Sequence, residues 1–463
     1  MSRKFLVLSA LALGLMVPAS AKTYTRDEAI KVAMENSPDI KTAEEALIKA
    51  SSQVDAGYGR AMPSIDLSAT VTRIFGLDDV KMGTPLTDAA QKEDSDANNF
   101  DKNYVAPTLD GLANGMKKQA YRWQSSVDLT VKQVLYAAGQ VGTGLEIAKA
   151  NKRANEIALD NAKSQVRYNV DSTFNQLIFL DSAIVIREES IKQLESQLEV
   201  VKQNFESGMG AEIDLLRTEL ELDKQKAELD KTKKQRILAR NAVLNSIGLD
   251  WDNDVQFIGE LRSPETSIAF PDTTMANVKK RSRDLMKLEA TEVIQAKQVD
   301  LGEAGFKPTI ALAGGLKYAN NQNKITEWDA PKWDNLNKYV ALNLSMNLFN
   351  GMQTKESVVQ AKADLRSLQV QKDRLERGLR LQIAACINNL EDALVQLENS
   401  QRQVNLASRA YDISEAAYKI GQETQVNLLS ANMNLRSAKL GLMQATLDWN
   451  NAYNALLKAT GEY

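Results

Sequence analysis

The chain has 463 residues, a formal net charge of −3, one cysteine and no histidine. A single cysteine excludes a disulfide framework within the chain, and the lack of histidine removes the commonest general base and metal ligand. The acidic balance, −5 once Arg3 and Lys4 are cleaved away, excludes a basic nucleic-acid footprint.

In chain order, the first expected element is a secretory signal over residues 1–21. Arg3 and Lys4 form a basic start, Phe5–Val17 is an apolar run of signal length, and Ala19-Ser20-Ala21 is an A-x-A cleavage site. A membrane anchor is the alternative, but the run is short for a span. The one cysteine, Cys386, is far from the cleavage site, so no lipid is expected on a cysteine at the mature N-terminus. Beyond the signal no run of 18 apolar residues occurs; Leu177–Ile186 is short and broken by Asp181 and Ser182. The mature chain is therefore either soluble or crosses a membrane as a β-barrel.

Self-comparison shows a tandem duplication. NSPDI at Asn36–Ile40 resembles RSRDL at Arg281–Leu285, and Pro63 of RAMPSIDL falls on Pro308 of GFKPTIAL, both at an offset of 245. From VLY at Val134–Tyr136 on NLF at Asn347–Phe349, the offset becomes 213 and holds through Gly208 on Gly421 to Gly248 on Gly461. The difference, 245 − 213 = 32 residues, is an insertion in the first copy between about Arg73 and Ser125. The expected organisation is a first repeat at 22–248, a linker at 249–273 with a strand-like DVQFIGEL, and a second repeat at 274–463.

Strands are expected at about 64–73 and 125–135, separated by an acidic loop at 74–124, and at about 309–318 and 338–348. Ile65, Leu67, Ala69 and Val71 alternate with Ser64, Asp66, Ser68 and Thr70, and the other three segments alternate likewise. Period two over about ten residues is the pattern of a transmembrane β-strand, and equally of a soluble antiparallel sheet with one wet face. Three features favour the membrane: strand length, an expected aromatic girdle of Trp123, Trp328, Trp333 and Tyr339, and the acidic loop, with eight Asp or Glu against three Lys between Leu77 and Asp110. Within that loop, Glu93-Asp94-Ser95-Asp96 lacks the Gly and terminal Glu of a calcium loop and reads as solvated. Four strands cannot close a barrel and open edges are forbidden in lipid, so the membrane reading requires oligomerisation; two, three or four chains close on paper.

Helical hairpins are expected at 139–248 and 351–460. Val170, Leu177, Ile184, Ile191, Leu198 and Phe205 keep a strict heptad, and so do their counterparts Ile383, Leu390, Leu397, Val404, Tyr411 and Tyr418. Sustained sevens indicate coiled-coil packing. No Pro interrupts Val141 to Leu261, so the first helix would extend on the order of 100 Å. Small or polar companions such as Thr173, Ala393 and Ser400 suit broad packing of many helices. Cys386 lies in that companion stripe and reads as a structural thiol. Gly208 and Gly421 are the expected left-handed caps of the two reversals, FESGMGAEIDLL and YKIGQETQVNLL.

Together these motifs resemble the TolC family of outer-membrane efflux proteins across nearly the whole mature chain. TYTRDEAIKVAMENSPDIKTAEEAL resembles its opening helix, RAMPSIDL and GFKPTIAL its helix-Pro-strand junctions, and the two reversals its paired periplasmic turns. The resemblance implies an α+β membrane protein. Its tandem long helical hairpins would form an α-barrel tunnel, with four transmembrane β-strands per chain in a trimeric twelve-stranded β-barrel. It implies a homotrimer in the outer membrane of a Gram-negative type envelope, in contact with outer-membrane lipid. The implied partners are a periplasmic adaptor (membrane fusion) protein and a proton-driven or ATP-driven inner-membrane transporter. No cofactor, metal or nucleic acid is implied, and no enzymatic activity. The role would be a passive conduit in a tripartite efflux or type I secretion system.

In the family the tunnel closes at these turns. The positions here that match its acidic pair, its tyrosine and its basic residue are Asn427 and Ser430, Tyr418, and Glu423. Only Tyr418 keeps its type; Asp214, in the first copy, matches an aspartate of the closing contacts. The resemblance thus implies a gate that has lost the acidic pair and whose latch is built differently. Asp214, Asn427 and Ser430 read equally well as solvated first-turn residues of the returning helices. The competing function is a coiled-coil periplasmic or surface structural or adhesive protein, which would need neither the strands nor a second hairpin. A periplasmic enzyme finds no His, no Cys pair and no Gly-rich phosphate loop.

Overall fold

The computed structural model describes residues 22–75, 122–251, 255–264, 270–322 and 336–463, with shorter pieces between 86 and 112 and at 324 and 326. The expected signal, Trp328, Trp333 and residues 93–95 of the acidic cluster lie outside the described residues. The described chain is mostly helical with two sheets, an α+β architecture. It divides into two units. One holds the chain up to Ser51, Ala150–Val293 and Leu365–Tyr463; the other holds Ser52–Lys149 and Ile294–Asp364.

In chain order the elements are β1 (Lys22–Tyr24), α1 (Arg26–Asn36), α2 (Pro38–Gly59), β2 (Ser64–Arg73) and β3 (Trp123–Tyr136). Next come α3 (Gln140–Glu206), α4 (Glu212–Ser246), β4 (Val255–Phe257), α5 (Met275–Arg281) and α6 (Arg283–Ala304). The chain ends with β5 (Thr309–Gln322), β6 (Asn337–Ser345), α7 (Gln353–Lys419) and α8 (Gln425–Thr460). No described helix is long and apolar enough to cross a membrane.

The helices α3 and α7 run unbroken for 67 residues each because nothing in their interiors interrupts the backbone ladder, and from Ala150 and Leu365 onward they belong to the helical unit. The heptad stripe is fully buried where other elements cover it: Val170 and Leu177 on α3 and Ile383 and Leu390 on α7 are at most 4% exposed. Towards the reversals cover thins, and Phe205 is 39% exposed. The main core joins Phe174, Leu177 and Ile178 of α3 to Val243 and Leu244 of α4, to Ala29 and Ala33 of α1, and to the β1–β4 pair. Each of the buried Val, Leu, Ile and Phe side chains contributes about 1.5–3 kcal/mol by leaving water. The strand expected in DVQFIGEL is β4, which pairs in parallel with β1, so that Phe257 meets Phe174 edge-on at 6.1 Å. Cys386 is half-buried between two apolar clusters, and burial pushes its thiol up.

In the other unit, β2, β3, β5 and β6 form one antiparallel sheet in that order, with β2 and β6 as its edges. The register puts Leu67 opposite Leu129, Leu129 opposite Leu316 and Leu312 opposite Leu342, so the apolar members of each alternation share one face. That face is bare: Ile65, Leu67, Val71, Val340, Leu342 and Leu344 are each at least 67% exposed. The opposite face is polar and carries the Lys317–Asp128 ion pair at 3.8 Å. Tyr339, expected in an aromatic girdle, lies instead on this polar face. It pairs with Gly315, where a side chain would come within 3.0 Å of its ring. The ring occupies the space that the glycine leaves, and its hydroxyl lies 3.5 Å from Thr130.

The same contacts recur at both sequence offsets. Gly57 faces Leu145 as Gly302 faces Val358, and a Cβ added at either glycine would stand 3.2 or 3.1 Å from that side chain. Gly248 faces the backbone of Asn36 as Gly461 faces that of Arg281. Before each long helix stand two successive left-handed residues, Ala138 and Gly139 in one copy and Gly351 and Met352 in the other.

Candidate functional site

The two reversals are built alike. Gly208 and Gly421 have φ of 78° and 74°, a conformation open to glycine at little cost. Gly208 N–H donates to the Phe205 carbonyl at 2.9 Å and Met209 N–H to that of Asn204 at 2.8 Å. In the second copy Gly421 donates to Tyr418 at 3.0 Å and Gln422 to Ala417 at 2.9 Å. Both are Schellman caps, which satisfy the last carbonyls of α3 and α7. The helices then restart differently: α8 has Thr424 as N-cap, its hydroxyl accepting from Asn427 N–H at 3.3 Å, whereas α4 starts at Ala211 without a side-chain cap.

The five candidate gate residues fall into separate groups. Tyr418 and Asp214 approach one another across the two copies. The half-buried Tyr418 hydroxyl is bonded to the Asn204 side chain, at the end of α3; burial pushes it up, the Asn204 amide opposes this, and the Asp214 carboxylate adds to it. Asp214 sits in the first turn of α4, where the helix dipole favours a carboxylate. It faces Arg217 at 3.8 Å, a partly exposed pair of small energetic weight. Glu423 and Asn427 form a local pair instead: Asn427 Nδ2 donates to Glu423 Oε1 at 2.5 Å, and Thr424 N–H donates to the same oxygen at 3.0 Å. These two donors, the Asn427 amide first, hold the Glu423 carboxyl below its ordinary range. Ser430 is exposed on α8.

What ties the returning helices together was not among the residues singled out by the sequence. Gln425 Nε2 donates to the Thr218 hydroxyl at 2.9 Å, and that hydroxyl donates to the Asp214 carbonyl at 2.7 Å; Thr218 is fully buried and Gln425 is 5% exposed. Two turns deeper, Asn432 meets Ser190 and Gln193 of α3. Then Arg436 donates to Glu221 Oε1 at 3.0 Å, with both side chains about one-tenth exposed. A signal existed: Thr218, Gln225 and Thr232 stand three residues after Leu215, Leu222 and Leu229, so polar residues occupy the companion positions of the α4 heptad, and all three are buried. Beside these residues a cavity of about 340 Å³ opens between α3 and α7, lined by Lys192, Gln197, Val200, Tyr411 and Tyr418.

Paired long hairpins with matching Schellman reversals, carried with a four-stranded antiparallel sheet, define the class of outer-membrane tunnel proteins. The chain belongs to the outer membrane efflux protein family, whose model matches residues 29–249 and 275–462. Among solved structures it is similar to VceC of Vibrio cholerae, with 15% identity, a TM-score of 0.71, and 94% of this chain and 96% of that chain covered. It is also similar to the CmeC outer membrane channel of Campylobacter jejuni, with 15% identity, a TM-score of 0.73 and 94% and 85% covered. CusC, described in terms of transmembrane channel formation, gives 15% identity, a TM-score of 0.74 and 94% and 92% covered. No curated protein matches the sequence. The chain is thus an outer-membrane efflux channel component, and its family and fold are those of channels; the coiled-coil adhesive alternative is not favoured.

Proposed function

We propose that the protein is the passive outer-membrane conduit of a tripartite efflux or type I secretion assembly, acting as a homotrimer. Twelve strands from three chains would close a β-barrel in outer-membrane lipid, and the tandem hairpins would form an α-barrel tunnel through the periplasm of a Gram-negative type envelope. A periplasmic adaptor would join it to a proton-driven or ATP-driven inner-membrane transporter, which supplies the energy. The mature chain would consist of repeats at 22–248 and 274–463 joined by the linker 249–273, after removal of the signal 1–21.

One observation carries this reading. The four-stranded sheet leaves two edges and an apolar face that none of the described residues covers. Lipid accommodates such a face, but it cannot satisfy the N–H and C=O groups of an open edge. Closure by further copies satisfies both. The test is native mass and planar-bilayer conductance of the detergent-purified protein: a conducting trimer is expected, and a non-conducting monomer would reject the proposal.

The tunnel would close at the reversals, with Asp214, Tyr418, Glu423, Asn427 and Ser430 at the constriction and Gly208 and Gly421 setting its backbone. The Thr218–Gln425 and Glu221–Arg436 bonds would serve as the latch in place of the family's pattern. Block of the pore by a trivalent cation, lost in Asp214→Ala, is the expected signature of remaining acidity there; block unchanged by Asp214→Ala would remove Asp214 from the gate.

A further inference from the structure

A cavity of about 220 Å³ opens where the second copy's strands meet its helices, beyond the Thr309–Ser345 pair that ends the β5–β6 ladder. Phe306, Leu348, Phe349, Met352 and Lys355 line it, and all of them belong to the unit that holds the sheet. The four apolar residues are exposed, from 48% at Phe306 to 86% at Leu348. Leu348 also continues the exposed alternation of Val340, Leu342, Leu344 and Met346. A contiguous apolar surface of this kind marks an interaction site. Lys355 is the one charged residue of the lining among the described residues, and Lys307 directly follows Phe306. Both lysines are exposed, and neither forms an ion pair among the described residues. The lining's Asn350 and Thr354 bond to one another at 2.7 Å.

The duplication shows that the junction does not need these groups in order to form. At the matching positions the first copy has Ala61 for Phe306, Met62 for Lys307 and Gly142 for Lys355, while Leu135 and Tyr136 stand for Leu348 and Phe349. The same strand-to-helix junction forms there, with two left-handed residues in the same places. The first copy's nearby cation, Arg60, lies against α3, 4.0 Å from where a Cβ on Gly144 would stand. The aromatic and the two lysines are therefore additions of the second copy.

We infer that this cavity and the apolar surface around it seat an acidic glycerophospholipid, with its acyl chain on Phe306, Leu348 and Phe349 and its phosphate on Lys355 and Lys307; this rests on the membrane barrel proposed above. Position and charge select the occupant. The surface is continuous with the sheet face that would meet hydrocarbon, so it takes an acyl chain. Unpaired lysines beside such a face hold their stems along it and offer their ammonium groups to a phosphate. The cavity is smaller than a pocket for a whole compact ligand, and it suits one segment of a long amphiphile lying along the face. The strand ends that carry it are those joined to α6 and α7, which is the periplasmic leaflet when the helical hairpins form the tunnel. An acidic headgroup is favoured because a zwitterionic one carries its own cation next to the phosphate.

The test is native mass spectrometry of the detergent-purified full-length protein, incubated with dioleoylphosphatidylglycerol or dioleoylphosphatidylcholine, with bilayer conductance measured in parallel. The unaltered protein is expected to retain the acidic lipid about tenfold better or more. Lys307→Met with Lys355→Gln should remove that preference, Phe306→Ala should lower retention of both lipids, and Lys338→Gln, at the other end of β6, should leave both unchanged. The first copy already carries Met62 and Ala61 at two of these positions, so the variants are expected to fold, and conductance checks that they do. A conducting trimer that retains both lipids equally, or that keeps its preference without the two lysines, would overturn the site and leave the channel intact. A non-conducting monomer would overturn both.

Discussion

The carbonyl oxygen of Asn36 lies 2.8 Å from the point where a side chain on Gly248 would begin, and that of Arg281 stands at the same 2.8 Å from Gly461. Each glycine also has a positive φ, 72° and 77°. The end of each hairpin is thus pressed onto the break between two short helices, α1 and α2 in one copy and α5 and α6 in the other.

Two separate costs follow for substitution. Gly208→Ala and Gly421→Ala meet no neighbour within 4 Å and should lose only the left-handed term, about 1–2 kcal/mol. Gly248→Ala and Gly461→Ala add a backbone clash and should lose more than about 3 kcal/mol. Denaturant midpoints of the four variants check this; equal losses would refute it.

At the strand-to-helix junctions the glycine occupies opposite positions in the two copies, leaving Ala138 and Met352 left-handed at φ of 52° and 68°. Met352 is half exposed. Met352→Gly should therefore raise the unfolding midpoint slightly, by up to about 1 kcal/mol, whereas the β-branched Met352→Val should lower it. A fall of equal size in both would show that the junction bears no strain.

Arg436 and Glu221 bind the two returning helices at 3.0 Å with little exposure. Arg436→Leu leaves Glu221 buried with its main cation gone, and a loss of about 3–5 kcal/mol is expected. Arg436→Leu with Glu221→Leu should regain most of it. A double-mutant cycle on chemical denaturation measures the coupling, and strict additivity would count against a buried pair.

Glu423 should remain ionised to lower pH than an ordinary carboxylate, because the Asn427 amide and the Thr424 N–H bind its charged form. A depressed folded pKa contributes stability that is present above the unfolded value, about 4.3, and is lost as pH falls through the lower folded value. Asn427→Ala removes the larger cause, so Glu423 should protonate at higher pH in the folded chain and contribute less stability. Acid titration of channel cation selectivity in wild type, Asn427→Ala and Glu423→Gln would show it. The Glu423→Gln curve should lack the step; a step there would assign it to another group.

Local order along the chain was written in the amino-acid sequence by itself, because it depends on near neighbours. Period-two alternation marked segments that the sheet uses, period seven marked the long helices, and glycines at Gly208 and Gly421 marked the reversals, since few other residues adopt that backbone cheaply. The duplication and its two offsets were equally legible, because they are properties of the string. What only the tertiary structure decided depends on which face meets which. Tyr339 turned to the polar face because Gly315 opposite offered it room, and a neighbouring strand's glycine is invisible in a local pattern. Thr218, Glu221, Gln425 and Arg436 became the ties between helices because packing removed water from them, which makes an unpaired polar group costly and a paired one specific. The heptads of α3 and α7 look alike in sequence. Only the folded chain shows that Ile157 is covered on α3 while its counterpart Val370 is exposed on α7.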